Sequence, residues 1–192
     1  MLLVLLPLAY LLGTFPSAVL VARSKGIDIT AVGSGNPGAS NIARTLGTRW
    51  GVTVFVLDGL KGAIPAAVGL AVLDRPEAYA LATAAVLGHM YPVTRRGKGG
   101  KGVATVGGAF AVLHPLPFAV LTLLWVLVRT STGKASLGSI AIAVGGPVSL
   151  VVVGSPAWEI GATVGLALLV LLRHTDNIRR LFRGDELSAS RS

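Results

Sequence analysis

The sequence predicts an all-α, polytopic integral membrane protein. It has seven transmembrane helices in a single domain, with the N-terminus outside and the C-terminus cytoplasmic. Three observations predict this. Of 192 residues, 53% are hydrophobic and only 13% charged, whereas a soluble domain carries about 25% charge. Apolar stretches able to cross about 30 Å of hydrocarbon recur along the chain. The cations gather in the segments between those stretches, and one threading of the chain puts nearly all of them on one side. The domain covers residues 1–192 and ends in a basic tail, 174–192.

Residues 2–22 form the first span. A cleaved signal peptide would carry a basic segment ahead of its apolar core, and none precedes this one, so an uncleaved helix is expected. Further apolar stretches cover 50–73, 78–93, 103–128, 136–153 and 157–173, with Trp50, Trp125 and Trp158 near span ends. Tryptophan favours such interfacial positions. The stretch 103–128 decides the topology. Taken as one helix, it puts Arg129 and Lys134 opposite the Arg95–Lys101 segment and inverts everything that follows. Taken as two helices broken at His114-Pro115-Leu116-Pro117, it gives seven spans, and every loop cation except Arg75 falls on one side. Proline breaks helix interiors and suits such a corner. The cation-rich side is cytoplasmic by the positive-inside rule. The fourth helix, 103–113, is then short, about 17 Å at 1.5 Å per residue. Past 174, Ile178, Leu181 and Phe182 share a helical face edged by Arg179, Arg180 and Arg183. This is the pattern of a short helix on an anionic membrane surface. Ser188–Ser192 are expected to fray.

The most informative segment is Arg95-Arg96-Gly97-Lys98-Gly99-Gly100-Lys101-Gly102. Glycine permits positive φ, so successive N–H groups can converge on an anion, and the lysines add full charge. A second glycine-rich loop, Gly33–Asn41, reads GSGNPGASN and is followed by Arg44. Candidate anion ligands are therefore Gly33, Gly35, Asn36, Asn41 and Arg44 in one loop, and Lys98, Gly99, Gly100 and Lys101 in the other. Both loops match G-x-G-x-x-G, but neither follows a strand, and residues 118–128 after the basic loop offer no carboxylate for a ribose, so a dinucleotide site is not expected. Plain helix-joining turns are the bland alternative. Asp58 and Lys61, three apart inside the second span, can pair, as a structural lock or as part of a site. His89 and His114 read as structural, whereas His174 opens the basic tail. Ser136 and Ser139 can bond to their own helix backbone. Absence of cysteine removes disulfide and thiolate-metal chemistry,. The formal charge of +9 fits anionic lipid or anionic substrates,. Nucleic acid is not expected, because the cations lie between apolar spans without an aromatic platform. A transporter for a phosphorylated solute or lipid would share the basic mouth. A retinal protein is disfavoured because 157–173 has no lysine.

Four blocks carry a family resemblance: GSGNPGASNIARTLG (33–47), DGLKG (58–62), GHMYPVTRRGKGGKGVAT (88–105) and RHTDNIRRLFRGDE (173–186). Together, and in this order, they resemble the PlsY family of bacterial acyl-phosphate:glycerol-3-phosphate acyltransferases. Ser40 stands where the family usually has threonine, which keeps the hydroxyl. At the start of the sixth helix Lys134, Ser136 and Ser139 match the family pattern, while Gly133 and the local wording differ. The resemblance implies a multi-pass enzyme of the bacterial inner membrane with its active site facing the cytoplasm. The implied reaction carries an acyl group from acyl phosphate to the 1-hydroxyl of glycerol 3-phosphate, giving lysophosphatidic acid and phosphate. It also implies that Ser34, Arg44, Lys101, Ser139, His174 and Asn177 line the site, with Ser34 and His174 carrying the chemistry and Asp58–Lys61 in support. The expected partners are acyl phosphate, glycerol 3-phosphate and membrane lipids. No cofactor or metal is expected, and the monomer is expected to be the working form.

Overall fold

The computed structural model describes residues 1–188. Within them the regular structure is helical: α1 (Leu2–Gly13), α2 (Ser17–Arg23), α3 (Ala39–Leu46), α4 (Thr48–Val72), α5 (Arg75–Met90), α6 (Val103–Leu113), α7 (Pro115–Thr132), α8 (Ala135–Val152), α9 (Ala157–Arg173) and α10 (Thr175–Arg183), with a 3-10 turn at Val93–Arg95. Among the described residues, four segments are long and apolar enough by themselves to cross a membrane: Leu2–Arg23, Thr48–Val72, Pro115–Thr132 and Ala135–Val152. Of the residues expected to fray, those from 189 on lie outside the described residues, as does Arg191.

The chain divides into two compact units, Met1–Leu113 and the remainder from His114. The break expected at His114 is present: α6 stops at Leu113, and Pro115 opens α7. Proline suits a first helical position because the missing N–H would have no intrahelical partner there. Two expectations need correction. Residues 2–22 are not one helix. The run breaks at Thr14–Pro16, where Pro16 has no N–H to donate and Thr14 Oγ1 donates to the Leu11 carbonyl at 2.7 Å,. The segment after Gly38 is not all loop. Ala39–Leu46 is a helix, stopped by Gly47 at φ 96°.

In the first unit α4 is central and packs against α5 and α6, while α1 packs on α5. Small residues make these seams. A Cβ on Gly62 or Gly108 would strike the backbone at Thr105 or Gly59, closing α4 on α6. Gly69 sits on Ala78, and Gly13 and Gly88 do the same between α1 and α5. In a lipid solvent there is little hydrophobic gain from joining helices, so close van der Waals approach at small residues carries the association. Ala18, Val19, Ala22, Ile29, Ile42 and Val54 form a buried cluster beside these seams. Ile29 and Ile42 are fully buried, each contributing about 1.5–3 kcal/mol relative to exposure in water. They tie the loop between α2 and α3 to the helices.

In the second unit α7 packs on α8 and α8 on α9. Gly138 lies against Trp125 and Gly145 against Leu121. His114, which the sequence marks as structural, faces Glu159 with Nε2 to Oε2 at 3.0 Å, and both are buried. The α9 and α10 axes meet at 58°, and Gly184, at φ 79°, ends α10. The amphipathic tail is therefore helical as expected, with Phe182 89% exposed.

Candidate active site

The first glycine-rich loop is built around one side chain. Asn41 is buried at the start of α3, and its Oδ1 accepts from the Ser34 N–H at 3.0 Å and from Arg44 Nη1 at 3.4 Å. Its Nδ2 donates to the carbonyls of Ile29 at 3.2 Å and Val32 at 3.0 Å. A carboxamide has two N–H donors, so both are engaged with the loop. Asn41 is thus a clamp on the loop. Gly33 (φ 59°) and Gly35 (φ 67°) flank Ser34, and a Cβ at Gly33 would collide with the Asn41 carboxamide.

The nest expected here is not formed in the way the glycines suggest. The Ser34 N–H goes to Asn41, the Gly35 N–H to the Val32 carbonyl at 3.0 Å, and the Asn36 N–H to Ser34 Oγ at 3.4 Å. Ser34 itself is exposed. Its oxygen accepts from the backbone, which leaves the hydroxyl proton for another acceptor. Arg44 lies one turn beyond Asn41 and is half-buried.

The basic loop behaves similarly. N–H groups of Gly97, Lys98, Gly99 and Gly100 donate to the carbonyls of Pro92, Arg95, Gly97 and His89 at 3.0, 3.0, 3.1 and 3.1 Å. Gly99 and Gly100 are buried and let the loop lie on the end of α5. A Cβ on Gly99 would strike the carbonyls of His89 and Met90, and one on Gly100 would strike the His89 ring. Arg96 (φ 51°) and Gly97 (φ 76°) turn the loop through the left-handed region. The full charges of this segment are Lys101, half-buried, and Lys98, exposed.

Beneath this loop the expected Asp58–Lys61 pair is present, Oδ1 to Nζ at 2.6 Å, both residues buried. His89 Nδ1 lies 3.8 Å from the same Asp58 oxygen. Ser17, Asp58, Lys61, His89 and Arg95 line a small polar recess with Phe15, whose ring lies 5.9 Å from Lys61 Nζ. Breaking a buried pair from one side costs about 3–5 kcal/mol, because the other charge is stranded. Asp58→Asn is therefore expected to reduce folded yield and thermal stability sharply. Asp58→Asn with Lys61→Met should recover both better than either single change. Thermal melts and activity of the purified variants check this: a double variant that folds but stays inactive would give the pair a direct chemical role.

In the second unit His174 joins α9 to α10 and is buried. Its Nδ1 is 2.7 Å from the Val170 carbonyl. A carbonyl only accepts, so Nδ1 carries the proton and Nε2 is the acceptor of the neutral ring. Asn177 Nδ2 donates to Glu186 Oε1 at 2.7 Å, and Arg180 Nε donates to Oε2 at 2.9 Å. Burial pushes the Glu186 carboxyl up, but hydrogen bonds from Asn177, Ser136 and Arg180, with the Arg180 charge, hold it below the usual glutamate range. Sequence reasoning assigned Glu186 no role, although it lies in the fourth block. Ser139 donates to the Ala135 carbonyl at 3.0 Å and accepts from Trp125 Nε1 at 3.3 Å. Its proton is engaged by its own helix, so donating to a ligand requires rotation, while one lone pair still accepts,.

The structure therefore brings Ser34 and Asn36 in the loop together with Asn41 and Arg44 on α3, and seats Gly99 and Gly100 of the basic loop on His89, whose ring faces Asp58–Lys61. It groups Asn177 with Ser136, Arg180 and Glu186 near the α9–α10 bend. A family model described as glycerol-3-phosphate acyltransferase matches residues 3–184. A glycerol-3-phosphate acyltransferase of Geobacter sulfurreducens is 40% identical over 186 residues, 96% of this chain and 95% of that protein. One from Aquifex aeolicus is 39% identical over 180 residues, 93% of this chain and 94% of that protein. The crystal structure of PlsY (YgiH), an integral membrane glycerol 3-phosphate acyltransferase in its glycerol 3-phosphate form, superposes with a TM-score of 0.94 at 38% identity, covering 97% of this chain and 94% of that one. The lysophosphatidic acid form of that enzyme gives a TM-score of 0.91. With all four sequence blocks inside or overlapping the matched region and the fold shared along nearly the whole length, the chain belongs to the glycerol-3-phosphate acyltransferase family.

Proposed function

We propose that this chain transfers an acyl group from acyl phosphate to the 1-hydroxyl of glycerol 3-phosphate, at the cytoplasmic face of a bacterial inner membrane. The observation that carries the reading is the family match, which runs through both glycine-rich loops and on to residue 184. The chemistry of those segments fits it. Acyl phosphate is a mixed anhydride whose leaving group is phosphate, so cations serve the departure better than a strong acid does. Both substrates carry phosphate, and the chain offers Arg44 on α3 beside one loop and Lys98 with Lys101 in the other. The acyl chain stays among apolar helices while the soluble dianion is steered in by positive charge.

In this reading the glycerol oxygen attacks the acyl carbon and forms the ester. The bond from that carbon to the phosphate oxygen breaks, and phosphate leaves with the electron pair. His174 Nε2 accepts the hydroxyl proton. Ser34 donates its hydroxyl proton to a substrate oxygen, a role suited to an oxygen that already accepts from Asn36. Asn177 binds phosphate or steadies His174. Neither cofactor nor metal is needed, and one copy of the chain suffices.

Purified protein should release phosphate from acyl phosphate only when glycerol 3-phosphate is present, matched by lysophosphatidic acid. Release without the acceptor would make the chain a hydrolase, and no release under either condition would return it to the transporter reading.

The seven-span threading belongs to the same reading. It places Lys134 in the cytoplasm and Ser155 outside. In intact cells a cysteine at 155 should react with a membrane-impermeant reagent and one at 134 should not, the chain having no cysteine of its own. Labelling at 134 would invert the second unit.

A further inference from the structure

His89 is absent from the proposed chemistry, yet it touches the basic loop twice at one residue. Its carbonyl accepts the Gly100 N–H at 3.1 Å. Its ring lies against Gly100 so closely that a Cβ there would collide with Nε2 and the neighbouring carbons. The opposite ring nitrogen, Nδ1, faces Asp58 Oδ1 at 3.8 Å, and that oxygen holds Lys61 at 2.6 Å. His89, Asp58 and Lys61 are all buried. An imidazole thus fills the space between a fixed ion pair on α4 and the residue immediately before Lys101. Gly99 is pressed onto the His89 and Met90 carbonyls from the same side, so the loop has a floor and no slack toward α5.

We propose that His89 is a positioning residue: its ring, backed by Asp58–Lys61, sets the height of the Gly100 backbone and thereby the point at which the Lys101 ammonium meets phosphate. This rests on Lys101 as a phosphate ligand, as read above. The physical reason is steric. Close-packed buried groups transmit displacement, and a charge-assisted contact is sensitive to distances of a few tenths of an ångström. A shift of Lys101 acts on binding of the phosphorylated substrate, so KM should move more than kcat.

Two coupled cycles test it with purified, detergent-stable protein. Gly100→Ala should raise KM for glycerol 3-phosphate or acyl phosphate at least tenfold, by driving the loop off the ring. In a His89→Ala background the ring is gone, and Gly100→Ala should then change KM by no more than about threefold. Equal effects of Gly100→Ala in both backgrounds would overturn the steric coupling. In the second cycle, His89→Ala should lower kcat/KM in the wild type but by no more than about twofold beside Lys101→Ala. A full His89→Ala effect in the absence of Lys101 would show that His89 does not act through it. If Lys101→Ala alone is silent, the phosphate-ligand reading fails, while the first cycle still judges the contact between Gly100 and the ring. Should His89→Ala not fold, His89→Gln, which is slimmer than the ring but keeps a polar tip, runs both cycles. Absence of any rescue of Gly100→Ala there overturns the proposal.

Discussion

His174→Ala is expected to lower kcat by roughly 10²- to 10⁴-fold, the usual worth of a positioned general base. Ser34→Ala should also be severely impaired, yet wild-type protein incubated with acyl phosphate alone should show no acyl adduct on Ser34. The argument is one of direct attack. The donor is already activated, so a second ester on serine gains little and exposes the acyl group to water. The geometry adds to this. The N–H groups of Ser34, Gly35 and Asn36 donate to Asn41, Val32 and Ser34 Oγ, so they do not converge on an acyl oxygen at Ser34. His174, with Nδ1 held by Val170, has its Nε2 set in the accepting tautomer. Intact-protein mass spectrometry decides between the routes. A stoichiometric adduct that maps to Ser34 and transfers on addition of glycerol 3-phosphate would establish the covalent one.

Lys101→Ala should raise KM for a phosphorylated substrate and lower kcat/KM by roughly 10- to 150-fold, from loss of one charge-assisted contact of about 1.5–3 kcal/mol. Lys98→Ala should do less. Both lysines lie in the same loop, but Lys98 is exposed and Lys101 half-buried, and a charge in water is screened. Engagement of the N–H groups of residues 97–100 within the protein sharpens the expectation, because the loop's grip then depends on side-chain charge more than on backbone dipoles. Steady-state kinetics of folded variants check it. Wild-type values for Lys101→Ala would remove that residue from the site.

Much of this was legible in the sequence because it depended on local rules. The prolines after His114 marked the break between α6 and α7. Spacing of three placed Asp58 beside Lys61. The arginines around Ile178, Leu181 and Phe182 marked α10. What was not legible depended on non-local closure. Ala39, Ile42 and Leu46 carry a helical apolar spacing, but the glycines before them read as a continuing loop. Pro16 was a visible signal for the break between α1 and α2, overridden by the length of the apolar run. The loop glycine N–H groups meet carbonyls at Val32, His89 and Pro92, and no pattern of residue types reveals which carbonyl a glycine will meet. The Asn41 clamp and the seat of Gly100 on His89 are of this kind.

The glycine seams of the first unit carry an implication for sequence drift. Along α1, α4, α5 and α6 the smallest residues lie where backbones nearly touch, while Leu3, Val56, Leu60 and Val68 are exposed on the outer surface. An added methyl at Gly62 or Gly88 must force a pair of helices apart, whereas exchanging one large apolar side chain for another on the lipid side changes little. A saturation-mutagenesis map of this unit would therefore resemble a photographic negative of a water-soluble globule's, with tolerance greatest at bulky aliphatics and least at residues that have no side chain at all.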